Sequence, residues 1–165
     1  MVDVQTVSIA IASAGVFVAA VYYIFMLRHQ RKMRQTDLLM RLHTITTTKE
    51  MMQAAQKFVS ADFKDYDDFV RKYGSLYSEG EVQTAYLMIG EFFEGIGVLL
   101  KNGLADIDLI TQLFGVESFW MKMKPLAEGG RKQGNPSSYE FFEYLSDEAK
   151  KRREQQLQPK GAQNG

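Results

Sequence analysis

A chain of 165 residues that is 45% hydrophobic and 12% aromatic, with three prolines, is too apolar to be disordered. It is long enough for about one domain and an accessory segment. The absence of cysteine excludes disulfides, Cys-ligated zinc, iron–sulfur clusters and thiol nucleophiles. Twenty basic residues balance twenty acidic ones, so no net charge draws the protein to nucleic acid, and no nucleic-acid partner is expected.

Residues 1–6 hold one charge, Asp3, and read as a short outer N-terminus. Residues 7–27, VSIAIASAGVFVAAVYYIFML, then run without any charge. At about 1.5 Å per residue, a helix of this length spans the ~30 Å hydrocarbon core of a bilayer. A cleaved signal peptide needs a basic segment ahead of a shorter apolar run, and here the run is preceded by an acid. A buried helix of a soluble domain shows a polar stripe, whereas here only Ser8, Ser13 and Gly15 interrupt the apolar residues. The reading is a retained, single-pass transmembrane helix, with the lipid bilayer as its first partner. Tyr22 and Tyr23 stand where amphipathic rings favour the headgroup zone. Ala12, Ser13 and Gly15 would let two such helices approach closely as a homo-oligomer.

Arg28, Arg31, Lys32 and Arg34 follow within two turns. Basic residues stay on the cytoplasmic side, which puts the N-terminus outside the cell membrane and the rest of the chain in the cytoplasm. The same four side chains would lie against anionic lipid headgroups. Residues 28–46 continue as a basic juxtamembrane helix, with Leu38, Leu39, Leu42 and Ile45 at helical spacing.

Residues 47–157 read as a cytoplasmic multi-helix bundle. Three Ser/Thr-x-x-Glu capping boxes, Thr47–Glu50, Ser78–Glu81 and Ser137–Glu140, open helices that run to about Ser60, Asn102 and Gln156. Asp65 opens a short helix that stops at Gly74, and Asp106 opens another that runs through Phe114 and closes at Gly115. A further helix runs from about Glu117 to Arg131, with a kink expected at Pro125. No stretch alternates with period two for long enough to make a strand, so the fold class is all-α. Residues 158–165 are expected to form a disordered tail.

The helix from Ser78 to Asn102 reads as central. Val82, Tyr86, Ile89, Phe93, Ile96 and Leu100 share one face, widened by Phe92 and Leu99. Phe119, Trp120, Met123, Leu126, Phe141, Phe142 and Leu145 are its expected neighbours. Gly90, Gly95 and Gly97 lie inside a helix rather than in a phosphate-binding loop, so they read as close packing or a local bend.

Two carboxylate pairs carry what catalytic signal there is. Glu91 and Glu94 project from adjacent positions of the central helix, and Asp106 and Asp108 resemble the opening of a calcium loop. A carboxylate-bridged bundle site needs Glu-x-x-His, and the only histidines, His29 and His43, complete none. The later glycine and glutamate of a calcium loop are missing. A solvated strip accounts for the glutamates, and helix capping accounts for the aspartates. No metal and no other cofactor is expected. There is no Gly-x-Ser-x-Gly and no Gly-Lys-Ser/Thr. A catalytic residue therefore cannot be named, and a non-enzyme is the reading; the alternatives are a metal-assisted hydrolase on Glu91 and Glu94, with Asp106 or Asp108 as a further carboxylate, and a membrane-linked regulator.

Charge segregates along the chain. Residues 28–60 hold seven bases and two acids, 61–118 hold four and eleven, and 119–165 hold nine and six. The acidic middle is expected to face the basic flanks or a basic partner. In Lys150-Lys-Arg-Arg153, the spacing predicts Asp147–Lys151 and Glu148–Arg152 pairs, and a second lipid contact if this end returns to the bilayer.

The apolar run and basic helix, followed by DFKDYDDFVRKYG, FFEGIGVLLKNGLADIDLI, FW with KPLAEGGRKQGNP, and FEYLSDEAKKR, together resemble a family of small prokaryotic single-pass membrane proteins that carry a domain of unknown function. The resemblance covers about residues 5 to 155. It implies a cytosolic helical domain on a membrane anchor, and it implies no activity, cofactor or site residue. The function expected is that of an interaction or scaffold module at the membrane surface, with a membrane or cytosolic protein as its unidentified partner.

Overall fold

The computed structural model describes residues 3–157. These form seven helices: α1 (Val4–Thr46), α2 (Lys49–Ser60), α3 (Tyr66–Tyr73), α4 (Glu81–Lys101), α5 (Ile107–Leu113), α6 (Val116–Lys132) and α7 (Glu140–Leu157). No strand occurs among the described residues. The protein is all-α, with one long apolar N-terminal helix followed by a helical bundle. Its contacts divide it into two compact units, with the boundary between Asp37 and Leu38.

The first unit is helical rod. Its hydroxyls turn inward on their own backbone: Ser13 Oγ donates to the Ile9 carbonyl at 2.8 Å and Thr36 Oγ1 to the Lys32 carbonyl at 3.0 Å. Such back-bonding is how a polar side chain survives on an apolar helix. Large apolar side chains along it are exposed: Phe17 is 69% exposed and Val16 71%, while Val21 is half-buried.

The second unit begins with the last turns of α1, where Leu39 is fully buried and Leu42 packs against the core. The His43 ring lies 6.1 Å from that of Phe114. Helix α4 is the axis of this unit and packs most extensively against α7 and α2. Phe93 stacks on Phe142 at 4.7 Å between ring centroids and meets Phe119 at 5.3 Å, while Trp120 meets Phe142 edge-on at 5.1 Å. Each buried aromatic contributes about 1.5–3 kcal/mol from apolar burial, with ring geometry adding about 0.5–1.5 kcal/mol.

Two glycines set how closely α4 and α7 approach. A Cβ on Gly97 would lie 2.1 Å from the Phe141 carbonyl oxygen, and one on Gly90 would lie 2.6 Å from the Tyr139 ring. Gly95 has nothing within 4 Å. Close packing therefore explains two of the three helix glycines.

The capping pattern departs from the spacing rules in four places. Thr48, not Thr47, caps α2, accepting from the Met51 N–H at 3.3 Å, while the Thr47 hydroxyl donates to the Thr44 carbonyl. Helix α4 starts at Glu81 behind Gly80 with no side-chain cap. Ser78 instead donates to the Ser75 carbonyl and accepts from Gln83, and Glu81 pairs with Lys57. Helix α7 starts only at Glu140, after Tyr139 at φ 53°, so the Ser137 box does not form. Gly115 precedes α6 rather than closing α5, whose last cap is Phe114. Asp65 and Asp106 cap α3 and α5 as their positions suggest. Helix α6 continues through Pro125. The expected tail, 158–165, lies outside the described residues.

Candidate functional site

The four carboxylates that the sequence singles out do different things. Glu94 leaves α4 and reaches the start of α7, where its Oε2 accepts from the Phe142 N–H at 2.7 Å and its Oε1 from the Phe141 N–H at 3.3 Å. The first N–H groups of a helix have no partner within it, and the positive end of the helix dipole favours an anion there. Glu94 is thus the cap that Ser137 does not supply. Burial raises its pKa; the two N–H donors pull it down, and the charges of Glu91 and Glu140 add to the rise, so the net direction is upward.

Glu91 is exposed on the next turn of α4. Beside it, burial raises the pKa of the Tyr139 hydroxyl, with the Glu91 charge the next cause. Tyr139 stands edge-on to Tyr86 at 5.5 Å, and burial likewise raises the Tyr86 hydroxyl. Two buried phenols with raised pKa values are neutral hydrogen-bonding groups across the ordinary pH range.

The aspartates lie elsewhere. Asp106 Oδ1 accepts from the Asp108 N–H at 2.8 Å. The Asp108 carboxylate takes the Arg152 guanidinium with both oxygens, the Nη2–Oδ2 bond being 2.7 Å, and this pairing holds its pKa below the usual value. Arg152 follows Phe142 by ten residues, which is about 15 Å along a helix. Glu94 and Asp108 therefore serve two well-separated stretches of α7, and the convergence that a hydrolase built on all four would need does not occur. No group of three or more His, Asp or Glu side chains that could hold a metal exists among the described residues. A groove of about 830 Å³ between α2 and α4 is lined by residues including Glu50, Gln53, Lys57, Glu81 and Thr84, and holds none of the four.

Spacing rules did not single out Asp68. It is 6% exposed and accepts from the Lys64 N–H at 3.1 Å, while Lys72 Nζ lies 3.2 Å away and Arg71 also pairs with it. Burial raises its pKa, but the N–H bond and the two cations together outweigh that and bring it down. Its signal is in the sequence, since Arg71 and Lys72 follow it at i+3 and i+4. Arg131 had no such local signal: it donates to the Ser138 carbonyl at 3.0 Å and to Glu143 at 2.6 Å, and so fixes the loop into α7.

Many of the bundle's basic residues hold an acid, though Lys122 donates to the Val59 and Ala61 carbonyls instead. In the bundle, Lys57 pairs with Glu81, Lys72 with Asp62 and Asp68, Arg131 with Glu143, Lys151 with Glu148, Arg152 with Asp108 and Arg153 with Glu117. The α7 pairs differ from those the helix spacing suggests, because Arg152 reaches α5, where Asp108 offers a two-oxygen partner. In α1, by contrast, Arg28, Arg31, Lys32 and Arg34 are all exposed and enter no ion pair among the described residues. Just before them, Tyr22 and Tyr23 are exposed, as are Ile24 and Phe25.

The surface preceding that cluster is apolar on every side. At about 100° per residue, Ile9, Ile11, Val16, Phe17, Val18, Tyr22 and Ile24 spread around α1, Ala12, Gly15, Ala19 and Met26 fill one remaining arc, and Ala14, Val21 and Phe25 fill the other. This is the one helix among the described residues that is long and apolar enough to cross a membrane, and none of its most apolar window is buried.

No curated protein and no solved structure matches the chain significantly. A family model described as a domain of unknown function (DUF4760) matches residues 9–149, from the apolar part of α1 into α7. Apolar helix and helical bundle thus fall within one family unit, and the chain belongs to the DUF4760 family.

Proposed function

We propose that the protein is a single-pass membrane protein whose helical bundle serves as a protein-interaction module at the cytoplasmic surface. Residues 7–27 cross the bilayer, residues 1–6 lie outside, and the bundle lies inside. The observation that carries this reading is the uncovered apolar surface around α1. A protein neighbour covers one side of a helix, whereas lipid covers every side. Arg28, Arg31, Lys32 and Arg34 against the lone Asp3 support the orientation.

A module rather than a catalyst is supported by the use the fold makes of its polar groups. Glu94 caps α7, Asp108 holds Arg152, and Asp68 holds the turn before α3. An anchor confines its domain to the membrane plane, which raises its effective concentration toward other membrane components. In-membrane cross-linking of the full chain tests the proposal. One neighbour should be enriched over a control single-pass protein of equal abundance; a chain recovered only as a monomer, with no neighbour enriched, would refute the interaction role.

A further inference from the structure

The sequence contains two similar basic clusters, RHQRKMR at 28–34 and KKRR at 150–153. By charge alone, both are candidates for a lipid surface. The structure separates them. Lys151, Arg152 and Arg153 already hold Glu148, Asp108 and Glu117. Moving them to a lipid phosphate would strip three acids of their partners. Arg28, Arg31, Lys32 and Arg34 have no ion pair to give up.

Their placement on the helix is also one-sided. At about 100° per residue, the four fall within an arc of about 160°, and the opposite arc carries His29, Gln30 and Met33. Along the axis they extend over about 9 Å, close to the ~8–10 Å distance over which a charged surface is felt at physiological salt. We propose that this face of α1 is a docking site for anionic phospholipid headgroups, and that the α7 cluster is not. The inference rests on the reading that residues 7–27 span the bilayer, because that places Arg28 at headgroup level. The occupant is lipid rather than a soluble anion: the cations begin directly after the apolar run, and the exposed rings of Tyr22 and Tyr23 stand six and five residues before Arg28.

The test uses the full chain reconstituted in phosphatidylcholine vesicles containing spin-labelled phosphatidylglycerol or spin-labelled phosphatidylcholine. The readout is the motionally restricted fraction of each lipid. The wild type should prefer phosphatidylglycerol by about fivefold or more, the factor expected for one engaged base, and the preference should shrink as salt rises. Replacing Arg28, Arg31, Lys32 and Arg34 by Gln should abolish it. Replacing Lys150, Lys151, Arg152 and Arg153 by Gln should leave it intact; if that variant fails to fold, Lys150→Gln with Lys151→Gln makes the same comparison. Symmetric vesicles present the same headgroups to either orientation, so an inverted variant does not confuse the readout. Restricted lipid without a phosphatidylglycerol preference would overturn the headgroup site and leave the span standing. Loss of the preference only in the α7 variants would overturn it too. No restricted lipid of either kind would overturn the span itself.

Discussion

The part of α1 before Leu38 and the bundle after it handle the same residue types in opposite ways. In the bundle, aromatic side chains close on one another: Phe93 and Phe142 stack at 4.7 Å, and Phe58, Phe69 and Phe142 have no exposed surface. In the first unit, Phe17 and Phe25 are 69% and 64% exposed. Bundle cations such as Arg131 and Arg152 hold acids, whereas Arg28, Arg31, Lys32 and Arg34 do not. The difference teaches that burial within the chain explains the second unit and leaves the first unexplained unless another medium solvates it. The cost of leaving so many large apolar side chains in water, about 1.5–3 kcal/mol each, makes lipid the natural candidate.

Substitutions at matched residue types break or sharpen this contrast, read by thermal unfolding of the bundle in detergent. The largest effect is expected from Phe142→Ala, which should cost about 3–5 kcal/mol by removing the ring between Phe93 and Trp120. Phe17→Ala should leave bundle unfolding unchanged. An equal loss at both positions would show that the first unit's side chains are buried after all.

The glycines come next. Gly97→Ala places a methyl group against the Phe141 carbonyl and should cost about 1–3 kcal/mol as α4 and α7 separate. Gly95→Ala meets nothing and should be neutral or stabilising by up to about 1 kcal/mol. Equal effects at the two sites would contradict the close approach at Gly97.

Acid titration gives a smaller effect, with signs that differ by site. Asp108 has a folded pKa below its ordinary value of 3.8, so its pairing stabilises the fold above that value and is lost as pH falls through the lowered one. Glu94 has a folded pKa above its ordinary 4.5, so the pH-dependent part of its contribution, which favours the neutral carboxyl, is fully present below 4.5 and is lost as pH rises through the raised value, while the carboxylate keeps its two N–H bonds. Asp108→Asn should therefore flatten the acid side of the stability profile, and Glu94→Gln the stretch just above pH 4.5. Identical profiles for the two variants would contradict the assignment.

Much of this architecture was legible in the sequence, for reasons that particular residues make plain. The α4 face of Tyr86, Ile89, Phe93 and Ile96 follows from helical spacing, and the caps at Asp65 and Asp106 from residues adjacent to the turns they serve. What stayed hidden depends on distant partners. Ser137 has the right spacing to cap α7, yet Glu94, more than forty residues earlier, does it, because α4 brings a carboxylate to those N–H groups. Arg152 has Glu148 one turn away and pairs with Asp108 across the bundle instead. The candidate carboxylates were visible as residue types, but their roles required knowing which helix faces which. Arg28, Arg31, Lys32 and Arg34 look like Lys151, Arg152 and Arg153 as letters and differ in their neighbours.

Alkaline carbonate extraction of native vesicles containing the full chain tests the central claim most directly. Lipid solvation of the apolar run predicts that the intact chain sediments with the membranes after the wash. Release of the intact chain into the supernatant as a freely soluble species would contradict it.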